Sequence, residues 1–330
     1  MIHQPHDALF RYTFTRKEHA IAELRAILPP EIVRNIDWDS LRVEEGHYVD
    51  EDLTKSESDI LYTVNLLGYP IAIYLLFEHQ SAAELLMGYR FLRHMVRIWE
   101  KWLPDHPNSR TIPLVLPILI THAEGGWKAS TSMQELFDIP DELRPMLTEY
   151  LPSFRYIVDD LAGLTDEQMR GRAIRSMGLV TLALLRWARS GNEMIGHLLL
   201  YLDAFRELWQ APDGREAMRV ALRYIYVATE PSSIHDLKEK FLDHLEPDAE
   251  TEAMNIIEYY ESKGRDDGER KGRKEGALEG KRSAFALVIT ARGLELPSAV
   301  AEKVNTCTDP ALLDQWIARA AIASTAAEAI

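Results

Sequence analysis

The spacing of apolar positions divides the chain into two textures. In the first half, short apolar runs alternate with amphipathic stretches. Lys17 to Leu28 has helical periodicity and is stopped by Pro29 and Pro30. "LRVEEGHYV" at residues 41–49 and "SDILYTVNL" at 58–66 are rich in β-branched and aromatic residues, as strands are. A "GYP" break at 68–70 precedes the apolar run Ile71 to Phe77, which reads as a strand buried on both faces. From Ala82 to Leu103 apolar residues recur every three and four positions, which predicts a helix. "IPLVLPILIT" (112–121) and the shorter "FRYIVDDL" (154–161) are further strands. Helix, three strands, helix, strand is the order of an α/β sheet with helices packed on it.

From about Thr165 the pattern turns wholly helical, through "AIRSMGLVTLALLRWAR", "EMIGHLLLYLDAFRELW" and "AMRVALRYIYVAT". No glycine-rich phosphate loop opens any of these helices. Residues 264–281, "GRDDGERKGRKEGALEGK", place glycine at every fourth position. Glycine inside a helix costs about 1 kcal/mol against alanine. Spacing by four sets these glycines along one slowly drifting face, where small residues permit close helix approach. A charged linker or frayed helix would show the same composition. "SAFALVITARGL" and "PALLDQWIARAAIAS" then suggest a small helical end module.

The apolar run ending at Phe77 is followed at once by Glu78, His79 and Gln80. A buried ionised carboxylate is expensive unless paired or bound to a metal. Asp59 is equally conspicuous in the preceding strand. If Gly68 and Tyr69 form a two-residue hairpin loop, Asp59 and Glu78 lie directly opposite, about 5 Å apart on one sheet face. A slip of one residue would break that geometry. Facing carboxylates repel unless one is protonated or a cation lies between them. One or two carboxylates with retained waters suit Mg²⁺, which lowers the pKa of a bound water and braces a phosphoryl oxygen. Gln80, on the same face, could orient that water or the scissile phosphate. A buried acid pair, or a rim carboxylate holding a helix N-terminus, would give the same spacing.

Composition narrows the setting. The chain has 330 residues, 46% hydrophobic and 27% charged, as in soluble globular proteins, with room for a second module. Cys307 is the single cysteine, so there is no internal disulfide and no multi-cysteine zinc site. The N-terminus lacks a basic start and an apolar core, and no apolar run spans a bilayer, so a cytoplasmic protein without a membrane partner is expected. The net charge of −15 argues against a general nucleic-acid coat. Up to Ile120, however, 12 Lys and Arg stand against 17 Asp and Glu, a balance of −5, so most of the acidity lies downstream.

The pattern "SDILY … FEHQS", with Asp59 and Glu78 nineteen positions apart, resembles the Rpn family of recombination-promoting nucleases, a transposase-like family within the PD-(D/E)XK nuclease superfamily. "HDALFRYTF" (6–14), "LPPEI" (28–32), "IPLVLPILITH" (112–122), "FRYIVDDL" and the glycine-every-four tract agree, and the likeness covers most of residues 3–282. It implies a restriction-endonuclease-like core, αβββαβ with a mixed sheet, and metal-dependent cleavage of DNA. The superfamily aspartate falls on Asp59 and the glutamate on Glu78, both as catalytic residues and ligands of Mg²⁺ (or Mn²⁺ or Ca²⁺). Gln80 stands where lysine is usual, and a glutamine offers a dipole in place of a charge. Ser58 replaces the proline.

Around this core, Glu23 on the first helix and Asp7 in the "HD" start are candidate supporting acids. A solvated face for Glu23 and a helix cap for Asp7 are the plain alternatives. His79 points to the opposite face, though its carbonyl could ligate the metal. Arg90 and Arg93, with Arg97 behind them, could meet phosphates as bidentate donors, or form a solvated basic face. Asp159 and Asp160 read as a strand-to-helix cap. The expected organisation is a nuclease core at 1–163, a helical extension at 164–250, the charged tract at 251–283 and a helical module at 284–330. The tract could join two copies into a homodimer. The rival is a nuclease-fold scaffold that binds DNA or protein with little activity. A three-acid transposase would need acids on well-separated strands, against the tight hairpin pair.

Overall fold

The computed structural model describes residues 5–44, 59–78, 85–123, 125–229, 237–245 and 247–330. The chain forms two compact units, Met1–Ile257 and Glu258–Ile330. The first is built on a mixed five-stranded sheet in the order β1-β2-β3-β4-β5. The strands are β1 Ile36–Val43, β2 Asp59–Leu66, β3 Tyr69–Glu78, β4 Val115–Thr121 and β5 Ile157–Asp160. The β1–β2 and β2–β3 pairs are antiparallel, whereas β3–β4 and β4–β5 are parallel. The fold is α/β, with helices on both faces of the sheet.

β3 explains the layering. From Ile71 to Glu78 every residue is buried, as a central strand covered on both faces requires. Ala72, Tyr74 and Leu76 point into a cluster with Met87, Phe91, Met95 and Ile98. Those four belong to α4, Met87–Trp102. Alternation sends Phe77 the other way, onto Phe10 of α1 (Pro5–Phe14), with ring centroids 5.2 Å apart. Beside α1 lie α2 (Lys17–Ile27) and, from beyond the sheet in the chain, α7 (Ser176–Trp187) and α10 (Gly214–Ala228). The shorter helices α3 (Pro30–Val33), α5 (Arg144–Leu147), α6 (Asp166–Arg170), α8 (Met194–Leu198) and α9 (Leu202–Gln210) complete the connections.

Three expectations shift. α1 is an additional helix, in a segment whose Phe, Tyr and Thr are mediocre helix formers. Tertiary burial of Leu9, Phe10 and Phe14 holds it. β1 begins at Ile36, five residues before the expected start, and the expected residues 45–49 lie outside the described ones. β1 is an edge strand, with exposed Asp37 and Arg42, the charged rim that discourages edge-to-edge pairing. Its ladder is irregular between Asp37 and Arg42, where the Asn65 amide donates to Ser40 Oγ at 2.8 Å. α4 starts at Met87, and residues 82–84 of the expected helix lie outside the described ones.

In the second unit, Leu278, Phe285 and Ile289 form a core with Val300, Val304, Leu313 and Trp316. The first three belong to the long helix Pro247–Ala291 and the others to helices Ser298–Thr306 and Pro310–Ala320. The charged tract is therefore helical. A Cβ added at Gly268, Gly272, Gly276 or Gly280 would meet nothing within 4 Å, so no close approach to described residues explains these glycines. Gly293, at φ +66°, ends the helix in the left-handed conformation, with the Leu294 amide donating back to Ile289 O at 3.1 Å. No described helix is long and apolar enough to cross a membrane.

Candidate functional site

The hairpin that brings the two conspicuous acids together closes one residue earlier than expected. Leu66 pairs with Tyr69 around the loop Leu67–Gly68, so Asp59 lies opposite Leu76. The directly facing Asp59–Glu78 pair is thereby corrected. Pro70 supplies the reason. A Gly68–Tyr69 loop would make Leu67 and Pro70 the closing pair, and proline has no N–H to donate to the Leu67 carbonyl. In the observed register Pro70 faces Asn65 instead. The turn takes φ of +52° at Leu67 and +83° at Gly68, as a type I′ hairpin demands. The Leu67 amide donates to Asn35 O at 3.0 Å, which braces the unfavourable leucine. The displacement is two residues, and side chains alternate with period two. Asp59 and Glu78 therefore still share one face, now as diagonal neighbours about 7–8 Å apart at Cα.

That face is the one covered by α4. The Tyr74 hydroxyl donates to Asp59 Oδ2, and Arg11 of α1 donates to the Asp59 backbone oxygen at 2.6 Å. Burial, then the Asp59 charge, raises Tyr74 well above the usual phenol range, so it remains a protonated donor. Glu78 closes β3 beside Thr121 of β4, with its side chain 4% exposed. Arg90, near the start of α4, places Nη1 2.5 Å from Glu78 Oε2. One turn on, His94 stacks on Tyr74 at 5.0 Å. Burial, then the charges of Arg90, Arg93 and Arg97, push His94 down to about 4, so the imidazole is neutral at pH 7. Arg93 is half-buried on the same helix. His79 and Gln80 lie outside the described residues.

The candidate supporting acids are placed elsewhere. Glu23 on α2 is buried completely and meets Arg172 at 3.2 Å. Arg172 also grips Asp159 of β5 with both terminal nitrogens, one bond measuring 2.9 Å. Glu23 is near enough to Tyr62 to act on its phenol. Tyr62 follows Leu61, which packs against α4, so Tyr62 and Glu23 belong to the opposite face from Asp59. Burial, then the Asp159 charge, pushes Glu23 up to about 8. It is neither solvated nor joined to the Asp59 and Glu78 pair. Asp7 lies inside the first turn of α1 and is buried. Of the expected Asp159–Asp160 cap only Asp160 caps, accepting from the Ala162 amide at 3.2 Å and from the Trp127 amide at 2.7 Å.

Sequence reasoning passed over Tyr74 and Arg172. Tyr74 carried a signal, since it is the one hydroxyl in an apolar run and lies four residues before Glu78, hence on its face. Arg172 carried none, because its partners stand 149 and 13 positions away. Among the described residues no group of three or more His, Cys, Asp or Glu side chains could hold a metal ion. Asp59 and Glu78 offer hard oxygen donors from one face, a set that suits a largely hydrated Mg²⁺. Further donors would come from water, substrate or the segment that carries His79 and Gln80.

Comparison with known proteins agrees at the level of family. Residues 4–210 match the family described as "Putative transposase, YhgA-like". The chain is 29% identical over 177 residues to recombination-promoting nuclease RpnD of Escherichia coli O157:H7, covering 53% of this chain and 66% of that protein. It is 30% identical over 178 residues to recombination-promoting nuclease RpnC of Escherichia coli K12, covering 53% and 57%. The inactive recombination-promoting nuclease-like protein RpnE of the same strain is 30% identical over 177 residues, with the same coverage. The chain thus spans 57–66% of the length of these relatives. No solved structure matches it.

Proposed function

The chain belongs to the family of YhgA-like putative transposases, and we propose that its first unit is a divalent-metal-dependent DNA endonuclease with a PD-(D/E)XK core at residues 1–163. The observation that carries the reading is the placement of Asp59 and Glu78 on one face at the end of the β2–β3 hairpin. The names of the relatives as recombination-promoting nucleases support it. In this reading Asp59 and Glu78, with the His79 carbonyl, hold Mg²⁺, or alternatively Mn²⁺ or Ca²⁺. Such an ion supplies a water of lowered pKa and a brace for phosphoryl oxygen. The protein's own groups set the stage. Tyr74 fixes the Asp59 carboxylate by donating to it, and Arg11 anchors the strand at the Asp59 carbonyl. α4 packs Phe91 and Met95 into one apolar cluster with Tyr74 and Leu76, on the face that the two acids share. Gln80 orients the attacking water, and Arg90 and Arg93 face the phosphate backbone.

A second reading has its own observation. Glu78 is already neutralised by Arg90, Gln80 replaces the usual lysine, and one relative is named inactive. A scaffold that binds DNA without cutting it would look the same. A plasmid-nicking assay separates the two. Wild type should nick in Mg²⁺ and not in EDTA, and Asp59→Asn and Glu78→Gln should each lower the nicking by roughly 100-fold. Equal nicking by the variants would place the activity elsewhere. Binding without nicking under any metal would favour the scaffold.

A further inference from the structure

Glu78 is compensated by a built-in cation. Arg90 reaches it from α4, and four residues on His94 stacks on the tyrosine that donates to Asp59. One helix therefore governs both carboxylates, Glu78 by direct charge and Asp59 through the Tyr74 ring. A carboxylate this buried needs a positive partner whether or not an ion is bound. A guanidinium and a divalent ion compete for that role, because the two cations repel each other at contact distance. The Arg90 side chain is 18% exposed, so it is not sealed in place.

We propose that Arg90 is a displaceable counter-ion, which holds Glu78 in the metal-free protein and is released to a nucleic-acid phosphate when a divalent ion binds. This rests on the nuclease reading of Asp59 and Glu78. The helix has the geometry for the exchange. Arg93, one turn beyond Arg90, forms no ion pair among the described residues and joins Arg90 at the phosphate. Metal and nucleic acid then strengthen each other's binding, and by linkage the coupling is reciprocal. Arg90 acts here as a positioning residue, since its effect on the ion runs through Glu78.

The test uses the full chain and two readouts that need no turnover. Mn²⁺ binding, followed by electron paramagnetic resonance without nucleic acid, should tighten at least about tenfold in Arg90→Gln. Binding of a labelled DNA duplex should tighten in wild type at least about fivefold when Ca²⁺ is added. Arg90→Gln should lose that gain, and its salt slope should fall by about 0.9. Arg90→Lys, which keeps the charge without the planar fork, should lie between wild type and Arg90→Gln in Mn²⁺ affinity and serves if Arg90→Gln does not fold. Unchanged or weaker Mn²⁺ binding in the Arg90 variants, or a Ca²⁺ gain that survives them, overturns the proposal while leaving the nuclease reading intact. Wild type that binds Mn²⁺ no better than Asp59→Asn overturns both.

Discussion

Two arginine-clamped carboxylate sites lie on opposite faces of the same sheet, and they differ in how tightly they are closed. Arg172 takes Asp159 through both terminal nitrogens and Glu23 through one, with side-chain exposures of 11%, 6% and 1%. Arg90 meets Glu78 at the end of a strand, with side-chain exposures of 18% and 4%. The first joins α2, β5 and the segment before α7, three pieces far apart in sequence. The second joins a strand to the helix that follows it. A forked clamp that draws on three distant segments ties a fold together, whereas a guanidinium more open to solvent at the end of a strand can be exchanged.

The largest expected effect falls on the enclosed site. Arg172→Ala leaves Asp159 buried without its cation and should lower unfolding free energy in urea by about 3–5 kcal/mol. A loss well under that value would mean the two clamps are alike. Activity should respond in the opposite order. Glu78→Gln should cut metal-dependent nicking by roughly 100-fold, whereas Glu23→Gln, already neutral at pH 7, should leave it within about twofold. A large fall in Glu23→Gln would bring the two faces into one site.

The pH profile of stability divides between the same faces. Glu23 is pushed up to about 8, so the folded protein holds a proton that the unfolded chain releases near pH 4.3. Its contribution is complete below that lower value and fades as pH rises through about 8. His94 is pushed down to about 4, so the unfolded chain binds the extra proton. Its contribution is present above about 6.5 and lost as pH falls through about 4. Melting temperatures across pH 3.5–9 should therefore flatten on the alkaline side in Glu23→Gln and on the acid side in His94→Gln. The smallest effect is at the turn. Leu67 is 70% exposed at positive φ, so Leu67→Asn should stabilise by about 0.5–1 kcal/mol. Nicking unchanged in that variant would show that the register needs no help from leucine.

The succession of elements was legible because each strand and helix repeats its own period. Face parity was legible for the same reason. A turn misplaced by one residue displaces the pairing by two and leaves both acids on one side. Pro70 even held the information that would have placed the turn, through its missing donor. α1 was not legible, since burial against Phe77 outweighs weak local propensity.

What the sequence by itself determined is therefore local and periodic: strands, helices, and the common face of Asp59, Tyr74 and Glu78. Tertiary structure alone decided which cation meets which carboxylate. Glu23 looked like a solvated helix position or a member of the active site, and is instead a buried acid beside Asp159 and Arg172, the latter arriving from 149 residues away. Charge pairing acts through space across a distance of a few ångströms, and no spacing along the chain encodes it.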